Sequence, residues 1–470
     1  AEVLQAGTRL QVVGRAGSGV DNIDVEAATR RGVVVVNAPN GNVVAVAEHV
    51  FGLLLCLARH IPAADAAVKA GGWPKAGMMG WELRGKTMGI VGLGRIGTAV
   101  ARRGAAFEMR LLAYDPFVSV EHAARLGVEL TSLEEVLRQS DVVTIHIPGS
   151  SRTRGLIDAE KLALMKPTAH IVNCARGGVV DEAALQQALE EGRLGGAALD
   201  VFVHEPPGVT PLVTSPKTVC TPHLGASTEE AQRTCALDVA EEVLAVLEGR
   251  PTRYPVNVPT LSGDELACLG PYLELATRLG SFCGQVSGDV LQRLELVYTG
   301  ETAAHDTTLL RAAVLTGYMR LLVEEPVNIV NAGALAEGRG IAISERRELE
   351  AESYTNLLTV KAYTSSGEHQ VTGSVVRGRP RVVGIDGFWL DFPLEGFLLL
   401  SQHVEQPGVL GRMGTLLGEH GVNISFVEVG RWERGSRGVM VMGLDEPPPP
   451  GLLERIQGLP SIRSVRLIHI

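Results

Sequence analysis

The chain is poor in charge, in aromatic rings and in long apolar runs. Charged residues make up 20% of its 470 residues and aromatics 4%. It has no basic block, and 53 acidic residues against 43 Lys and Arg leave a net charge of −10. Such a balance argues against nucleic acid as the main partner. The apolar run Val50–Ala58 ends at Arg59, far short of the ~20 residues a bilayer span needs, so no membrane partner is expected. No signal peptide is visible. The six cysteines (Cys56, Cys174, Cys220, Cys235, Cys268 and Cys283) show no CxxC and no framework spacing. They read as reduced thiols of a cytoplasmic protein, and no metal site is expected. What is present is 45% hydrophobic residues and 55 glycines, which excludes wholesale disorder and suits an α/β enzyme rich in tight turns. The length predicts about three domains at ~150 residues each. The chain opens at Ala1, without Met, in an amphipathic segment, and an incomplete N-terminus is the expectation.

Through residue 260, short β-branched runs alternate with helix-like stretches. Strands are expected at Gln11–Gly14, Val33–Asn37, Thr87–Val91, Leu111–Tyr114, Val142–Ile147, His170–Asn173, Ala197–Val201 and Thr218–Thr221. Helices are expected at Ala45–Arg59, Ile96–Phe107, Leu133–Arg138 and Glu182–Glu190. That alternation predicts a doubly wound parallel sheet covered on both faces. Ser227 with Glu230 predicts a capping box opening a helix that runs to about Leu247. Residues 260–395 read as a second α/β unit, with a helix near Thr307–Val323 and strands at Leu357–Thr364, Val371–Val376 and Arg381–Ile385. Residues 397–470 follow the order βαββαβ, a pattern that hosts many functions.

Thr87–Val91 runs into Gly92-Leu93-Gly94-Arg95-Ile96-Gly97, and a helix follows. This is G-x-G-x-x-G between a strand and a helix. Gly92 makes the tight turn, Gly94 lets the backbone approach a pyrophosphate, and Gly97 permits close helix–sheet packing. Free amides and the helix dipole favour phosphate there. Asp115 closes the next strand, 18 residues past Gly97. A carboxylate at that place accepts from the ribose hydroxyls and repels a 2′-phosphate, so NAD is expected rather than NADP.

Three charged residues fall just past predicted strand ends, where α/β sheets hold ligands. They are Arg176 in Asn173-Cys174-Ala175-Arg176, Glu205 in Asp200-Val201-Phe202-Val203-His204-Glu205, and His223 in Thr221-Pro222-His223. Singly, each has a plain structural alternative: a surface ion pair, a loop acid, a helix cap. Together, beside a dinucleotide fold, they supply what hydride transfer from a 2-hydroxy acid needs. That is a base for the hydroxyl proton, a carboxylate that holds the base, and a guanidinium for the substrate's carboxylate and carbonyl.

Arg15–Asp24, Asn37–Asn42, Gly92–Gly97, Asn173–Asp181 and Pro222–Thr228 resemble the D-3-phosphoglycerate dehydrogenases, a family within the D-2-hydroxyacid dehydrogenases. The resemblance runs from Val12 to about Asn257 and continues, more weakly, to an ACT-like C-terminus. It implies a split substrate-binding domain (1–39 and 226–256), a Rossmann-type NAD-binding domain (40–225), an intervening α/β domain (260–395) and an ACT-like domain (397–470). The implied reaction is NAD-dependent oxidation of 3-phospho-D-glycerate to 3-phosphohydroxypyruvate, the first step of L-serine biosynthesis, by a homodimer or homotetramer. His223 would be the acid/base, Glu205 its partner, and Arg176 the substrate-orienting residue. Arg15 and the Gly17–Gly19 amides would hold the substrate carboxylate. Lys75 would reach the phosphate in a neighbouring subunit. Ser18, Arg95, Ile96, Asp115, Ile147, Cys174, Asp200, His223, Leu224, Gly225 and Ala226 would line the cofactor beside the glycine loop.

Two positions depart from the family pattern. Ile147 stands where Thr is common, and Glu108 where Gly is usual; a positive φ there would cost about 1 kcal/mol. In the ACT-like unit, serine-binding relatives carry Asn where this chain has Glu405, while His403 and Asn423 match, so weak feedback by serine is expected. Alternatives are another D-2-hydroxyacid dehydrogenase (a hydroxypyruvate/glyoxylate or 2-oxoglutarate reductase) and a dinucleotide-sensing corepressor. The tail after residue 260 speaks against the short reductases, and the ACT-like end against the corepressor.

Overall fold

The computed structural model describes residues 2–250, 252–259, 263–350, 353–433 and 435–470. The chain forms two compact units, one of residues 14–23 and 36–248, the other of residues 1–13, 24–35 and 249–470. Strands β1 (Val12–Arg15) and β2 (Val34–Asn37) form a two-stranded sheet.

The first unit is built on a seven-stranded sheet. Its strands are β3 (Thr87–Val91), β4 (Arg110–Tyr114), β5 (Glu129–Leu130), β6 (Val142–Ile145), β7 (His170–Asn173), β8 (Gly196–Leu199) and β9 (Thr218–Cys220). Their order is β5-β4-β3-β6-β7-β8-β9, and every neighbouring pair is parallel. The order reverses between β3 and β6, the place where such sheets open a crevice for ligands. Successive side chains serve opposite faces. Met88 and Ile90 of β3 with Leu111 and Ala113 of β4 pack under helices Val43–Ala58 and Arg95–Ala106. Val91, Leu112, Val143 and Ile145 pack on the other face under Leu133–Gln139 and Glu182–Glu190. Because both faces are covered, β6 and β8 are buried along their whole length. This is the doubly wound sheet expected from the alternation.

One cap differs from the expectation. Ser227 closes a turn onto Leu224, and Thr228 is the N-cap, taking the amide of Ala231 on its hydroxyl at 3.2 Å before helix Glu229–Leu247. With the cap at Thr228, the third helical residue is Ala231, and no capping box forms. Glu108 does adopt a positive φ of 56°, so the departure from glycine carries the strain foreseen for it.

In the second unit, a six-stranded sheet is ordered β11-β10-β12-β13-β14-β15, from β10 (Leu291–Gly300), β11 (Ala342–Glu348), β12 (Asn356–Thr364), β13 (Gly367–Val376), β14 (Arg379–Ile385) and β15 (Phe388–Pro393). Leu294, Leu296 and Tyr298 pack against Leu279 and Phe282 of helix Gly263–Ser287 and against Val314 and Tyr318 of Thr308–Met319. The sequence pattern showed β12 to β14 and the second helix only. Pro271 inside the long helix reads as a break, and edge strand β11 is almost wholly exposed and carries no apolar alternation. The C-terminal part has β16 (Phe397–Val404), helix Val409–Glu419, β17 (Ile424–Arg431), β18 (Arg437–Leu444), helix Leu452–Gln457 and β19 (Ile462–His469). Its sheet order is β17-β18-β16-β19, the βαββαβ arrangement expected. Among the described residues no single helix is long and apolar enough to cross a membrane, and no cluster of metal-ligating side chains occurs.

Candidate active site

A cleft of about 680 Å³ opens in the first unit at the carboxyl ends of its strands. It gathers Arg15, Gly17, Ser18, Ile96, Ile147, Cys174, Arg176, Asp200, His223, Gly225 and Ala226. Those eleven residues, spread over more than 200 positions, are all ones the sequence singled out. Glu205 stands directly behind His223. The exposed loop of Lys75 and the exposed side chain of Leu224 do not line the cleft.

His223 Nδ1 lies 2.8 Å from Glu205 Oε2. A carboxylate only accepts, so Nδ1 carries the hydrogen and Nε2 keeps its lone pair. The other oxygen, Oε1, accepts the amide of Phe202 at 3.1 Å, which fixes the carboxyl plane. His223 itself is left-handed, with φ 57°, a conformation that costs a residue with a Cβ and persists only where its surroundings enforce it.

Arg176 is held on two sides. Its Nε donates to Asp21 Oδ2 at 2.7 Å and one terminal nitrogen donates to the Ala175 carbonyl at 2.6 Å. A Cβ on Gly19 would sit 1.8 Å from the other terminal nitrogen of Arg176, so a larger residue there would displace the guanidinium. Arg15 donates to the Ala16 carbonyl at 2.8 Å, while its Nε is buried without a partner in the protein, a donor suited to an anionic ligand. The Gly17 amide donates to the Arg15 carbonyl at 2.8 Å, so that amide shapes the turn.

The glycine loop adjoins the cleft. A Cβ on Gly97 would meet the Gly92 carbonyl oxygen at 2.0 Å, and one on Gly92 (φ 95°) the His146 carbonyl at 2.7 Å. Gly94 is different: it is exposed, and a Cβ there meets nothing within 4 Å. Space is therefore kept over Gly94 and the first amides of helix Arg95–Ala106, which fits a pyrophosphate. Asp115 Oδ2 accepts the Leu93 amide at 2.8 Å and Oδ1 the Phe117 amide at 2.9 Å. Each carboxylate oxygen can accept again, so the ribose role remains open to it. Ile147 lines the cleft beside Gly92.

Asp200 is buried and saturated. Its carbonyl takes the His223 amide at 2.9 Å, Oδ1 takes the Leu224 amide at 2.7 Å and the Thr221 hydroxyl at 2.6 Å, and Oδ2 takes the Gly225 amide at 2.8 Å. Burial opposes its charge, but hydrogen bonds from His49, Thr221, Leu224 and Gly225 outweigh it and hold the carboxyl below its ordinary range. Burial and the Asp200 charge push the neighbouring Cys174 thiol far up, which leaves it a protonated wall residue. Sequence reasoning missed Asp21, His49 and Asn42. Asn42 reaches the Ser18 hydroxyl at 3.3 Å, and the Asn37–Asn42 motif was the signal that could have found it.

Comparison with known proteins agrees with this geometry. Residues 51–225 match the model of the D-isomer specific 2-hydroxyacid dehydrogenase NAD binding domain, residues 268–386 that of the D-3-phosphoglycerate dehydrogenase intervening domain, and residues 398–461 the ACT domain. Solved structures of the same fold include the TT0316 protein of Thermus thermophilus (39% identical, TM-score 0.51) and the apo D-lactate dehydrogenase of Escherichia coli (30%, TM-score 0.50). Each alignment covers 54% of this chain and 81% of the other. The chain is thus an NAD-binding dehydrogenase of the D-2-hydroxyacid class. Its full-length relatives narrow the class. The D-3-phosphoglycerate dehydrogenase of Synechocystis sp. is 44% identical over 100% of this chain and 85% of its own length. Those of Methanocaldococcus jannaschii and Bacillus subtilis are each 42% identical, over 100% and 98% of this chain and 90% and 88% of their own lengths. The chain belongs to the D-3-phosphoglycerate dehydrogenase family.

Proposed function

We propose that this cleft oxidises C2 of 3-phospho-D-glycerate to the ketone, giving 3-phosphohydroxypyruvate, with His223 as the base. The observation that carries the assignment is the Glu205–His223 pair at 2.8 Å on the cleft that also holds Arg15 and Arg176. Gly92–Gly97 would hold the pyrophosphate of NAD and Asp115 its ribose, and the bound cofactor would supply the acceptor for the C2 hydride. His223 Nε2 accepts the C2 hydroxyl proton as the carbonyl forms, and Glu205 stabilises the resulting imidazolium through Nδ1. Arg176, clamped by Asp21, presents its remaining terminal nitrogen to the substrate's oxygens, and Arg15 meets the carboxylate beside the Ser18–Gly19 turn. The division of labour would follow a split substrate domain (1–39 and 226–256) and an NAD domain (40–225), followed in the chain by the intervening (260–395) and ACT (397–470) domains.

An exposed arm supports assembly into a homo-oligomer. Helix Ile61–Lys69 buries none of its side chains, and Trp73 and Met79 beyond it are 81% and 90% exposed; large apolar exposure of this kind marks an interface. Lys75 lies on the same arm, where a neighbouring copy's substrate phosphate would meet it. The free cysteines suit a cytoplasmic enzyme. The test of the reaction is His223→Ala. It should lower kcat by ~10²–10⁴ while NADH titration shows nearly intact affinity; unchanged turnover removes His223 from the chemistry.

A further inference from the structure

His49 stands outside the cleft lining, on helix Val43–Ala58, yet its Nε2 lies 3.1 Å from Thr221 Oγ1 and 3.2 Å from Asp200 Oδ1. The direction of these contacts follows from the neighbours. The Thr221 hydroxyl spends its hydrogen on Asp200 Oδ1, at 2.6 Å, so toward His49 it only accepts. The carboxylate only accepts as well. His49 therefore presents Nε2–H to both oxygens. Asp200 in turn gathers three consecutive amides, of His223 on its carbonyl and of Leu224 and Gly225 on its two carboxylate oxygens. Those three residues are the turn that holds His223 at its positive φ.

We infer that His49 is a positioning residue for the dehydrogenase reaction: through Asp200 and Thr221 it ties the His223 turn to the long core helix and keeps the imidazole aimed along the Glu205 line. The inference rests on the reading of His223 as the base. The helix is well suited to be the anchor, since Val46, Ala47, Val50, Leu53 and Leu54 on either side of His49 are all buried. A carboxylate held only by its own loop can rotate with that loop. One bonded to a side chain on another element cannot, and angular error at a general base is expensive in rate.

The experiment compares His49→Leu with His49→Gln, whose side-chain amide can restore a donor near Nε2. Steady-state kinetics with 3-phosphoglycerate and NAD, and NADH fluorescence titration, are read on the full chain. His49→Leu should lower kcat about tenfold, with NADH affinity changed less than twofold, and His49→Gln should recover most of that loss. Thr221→Val removes the second acceptor from the opposite side and should lower kcat in the same sense, so a poorly folding His49→Leu does not end the test. Unchanged kcat in His49→Leu and Thr221→Val, equal losses in the Leu and Gln variants, or a loss confined to NADH affinity would each overturn the inference. His223→Ala run beside them separates the two readings. If it abolishes turnover while the His49 variants do not, positioning fails and the base assignment stands; if it leaves turnover intact, the base assignment itself is wrong.

Discussion

Gly94→Ala separates cofactor binding from folding more cleanly than any other change in the glycine loop. Gly94 is the N-cap of helix Arg95–Ala106, with φ −70° and ψ −155°, an extended backbone without the positive φ that demands glycine. A Cβ there meets nothing within 4 Å. Alanine is the poorer N-cap, so the fold should lose no more than about 1 kcal/mol. The new methyl instead occupies the space the proposed pyrophosphate needs. Displacing phosphate oxygens from the helix amides forfeits hydrogen bonds to a charged group, about 1.5–3 kcal/mol each. The dissociation constant for NADH should therefore rise ~10- to 100-fold for the loss of one such bond. Gly97→Ala is the contrast: its Cβ would press the Gly92 carbonyl at 2.0 Å, so stability and binding should fall together. Fluorescence titration with NADH and thermal unfolding of both variants make the comparison. A Gly94→Ala protein that binds NADH as the parent does would show that the pyrophosphate does not cross this turn.

Three further outcomes are expected. Asp115→Ala should weaken NAD by about tenfold, since it loses a ribose partner worth about 1–3 kcal/mol and unties the Leu93 amide; kcat/KM with NAD and NADP should then converge from a parental preference for NAD, and a parent using both equally refutes the role of Asp115. Acid should destabilise the fold, because burial lowers His146 to about 3 and His170 to about 4 from 6.5. The unfolded chain takes up these protons first, so stability is lost as pH falls from about 6.5 toward those values, by about 3 kcal/mol at about pH 5.5 for the two together. Urea midpoints that stay flat across that range would refute the buried neutral histidines, and His170→Gln should reduce the slope. Serine at millimolar levels should leave the initial rate nearly unchanged: Glu405 already accepts from Arg431 at 3.1 Å and from the Gly435 amide at 2.9 Å, and Asn423 donates to Asp445 at 2.6 Å. Strong inhibition, reversed by Asn423→Ala, would defeat that expectation.

Much of the candidate site was legible because most of its proposed residues follow a strand that announces itself. An apolar run ending in glycine, or in a lone charge, marks the carboxyl edge of a parallel sheet, and Gly92–Gly97, Asp115, Arg176 and His223 all sit on or just past such edges. Residues that act from elsewhere gave no such mark. His49 lies inside an apolar helical run, where a single histidine reads as packing. Asp21 is one acid in a glycine-rich turn, and its pairing with Arg176 spans 155 positions. The fold shows the same division. The βαββαβ order of residues 397–470 was readable because turns such as Pro407-Gly408 separate its apolar runs, whereas β11 was not, since an exposed edge strand of charged residues has no buried face to impose a period of two.

Each chemical group of the candidate site is held by a neighbour that leaves one face of it usable. Glu205 is fixed by the Phe202 amide through one oxygen and offers the other to His223. Arg176 is fixed by Asp21 and the Ala175 carbonyl and keeps a terminal nitrogen beside Gly19. His223 is fixed through its amide and Nδ1 and keeps Nε2. Such preorganisation costs stability, as the left-handed φ of His223 shows. On the proposed mechanism it spares the reaction that reorganisation at the moment the proton and hydride leave C2. The saturated Asp200 belongs to the same logic. Its four loop donors tie the His223 turn to a buried acid, and surroundings that enforce a strained φ are what such a conformation needs to persist.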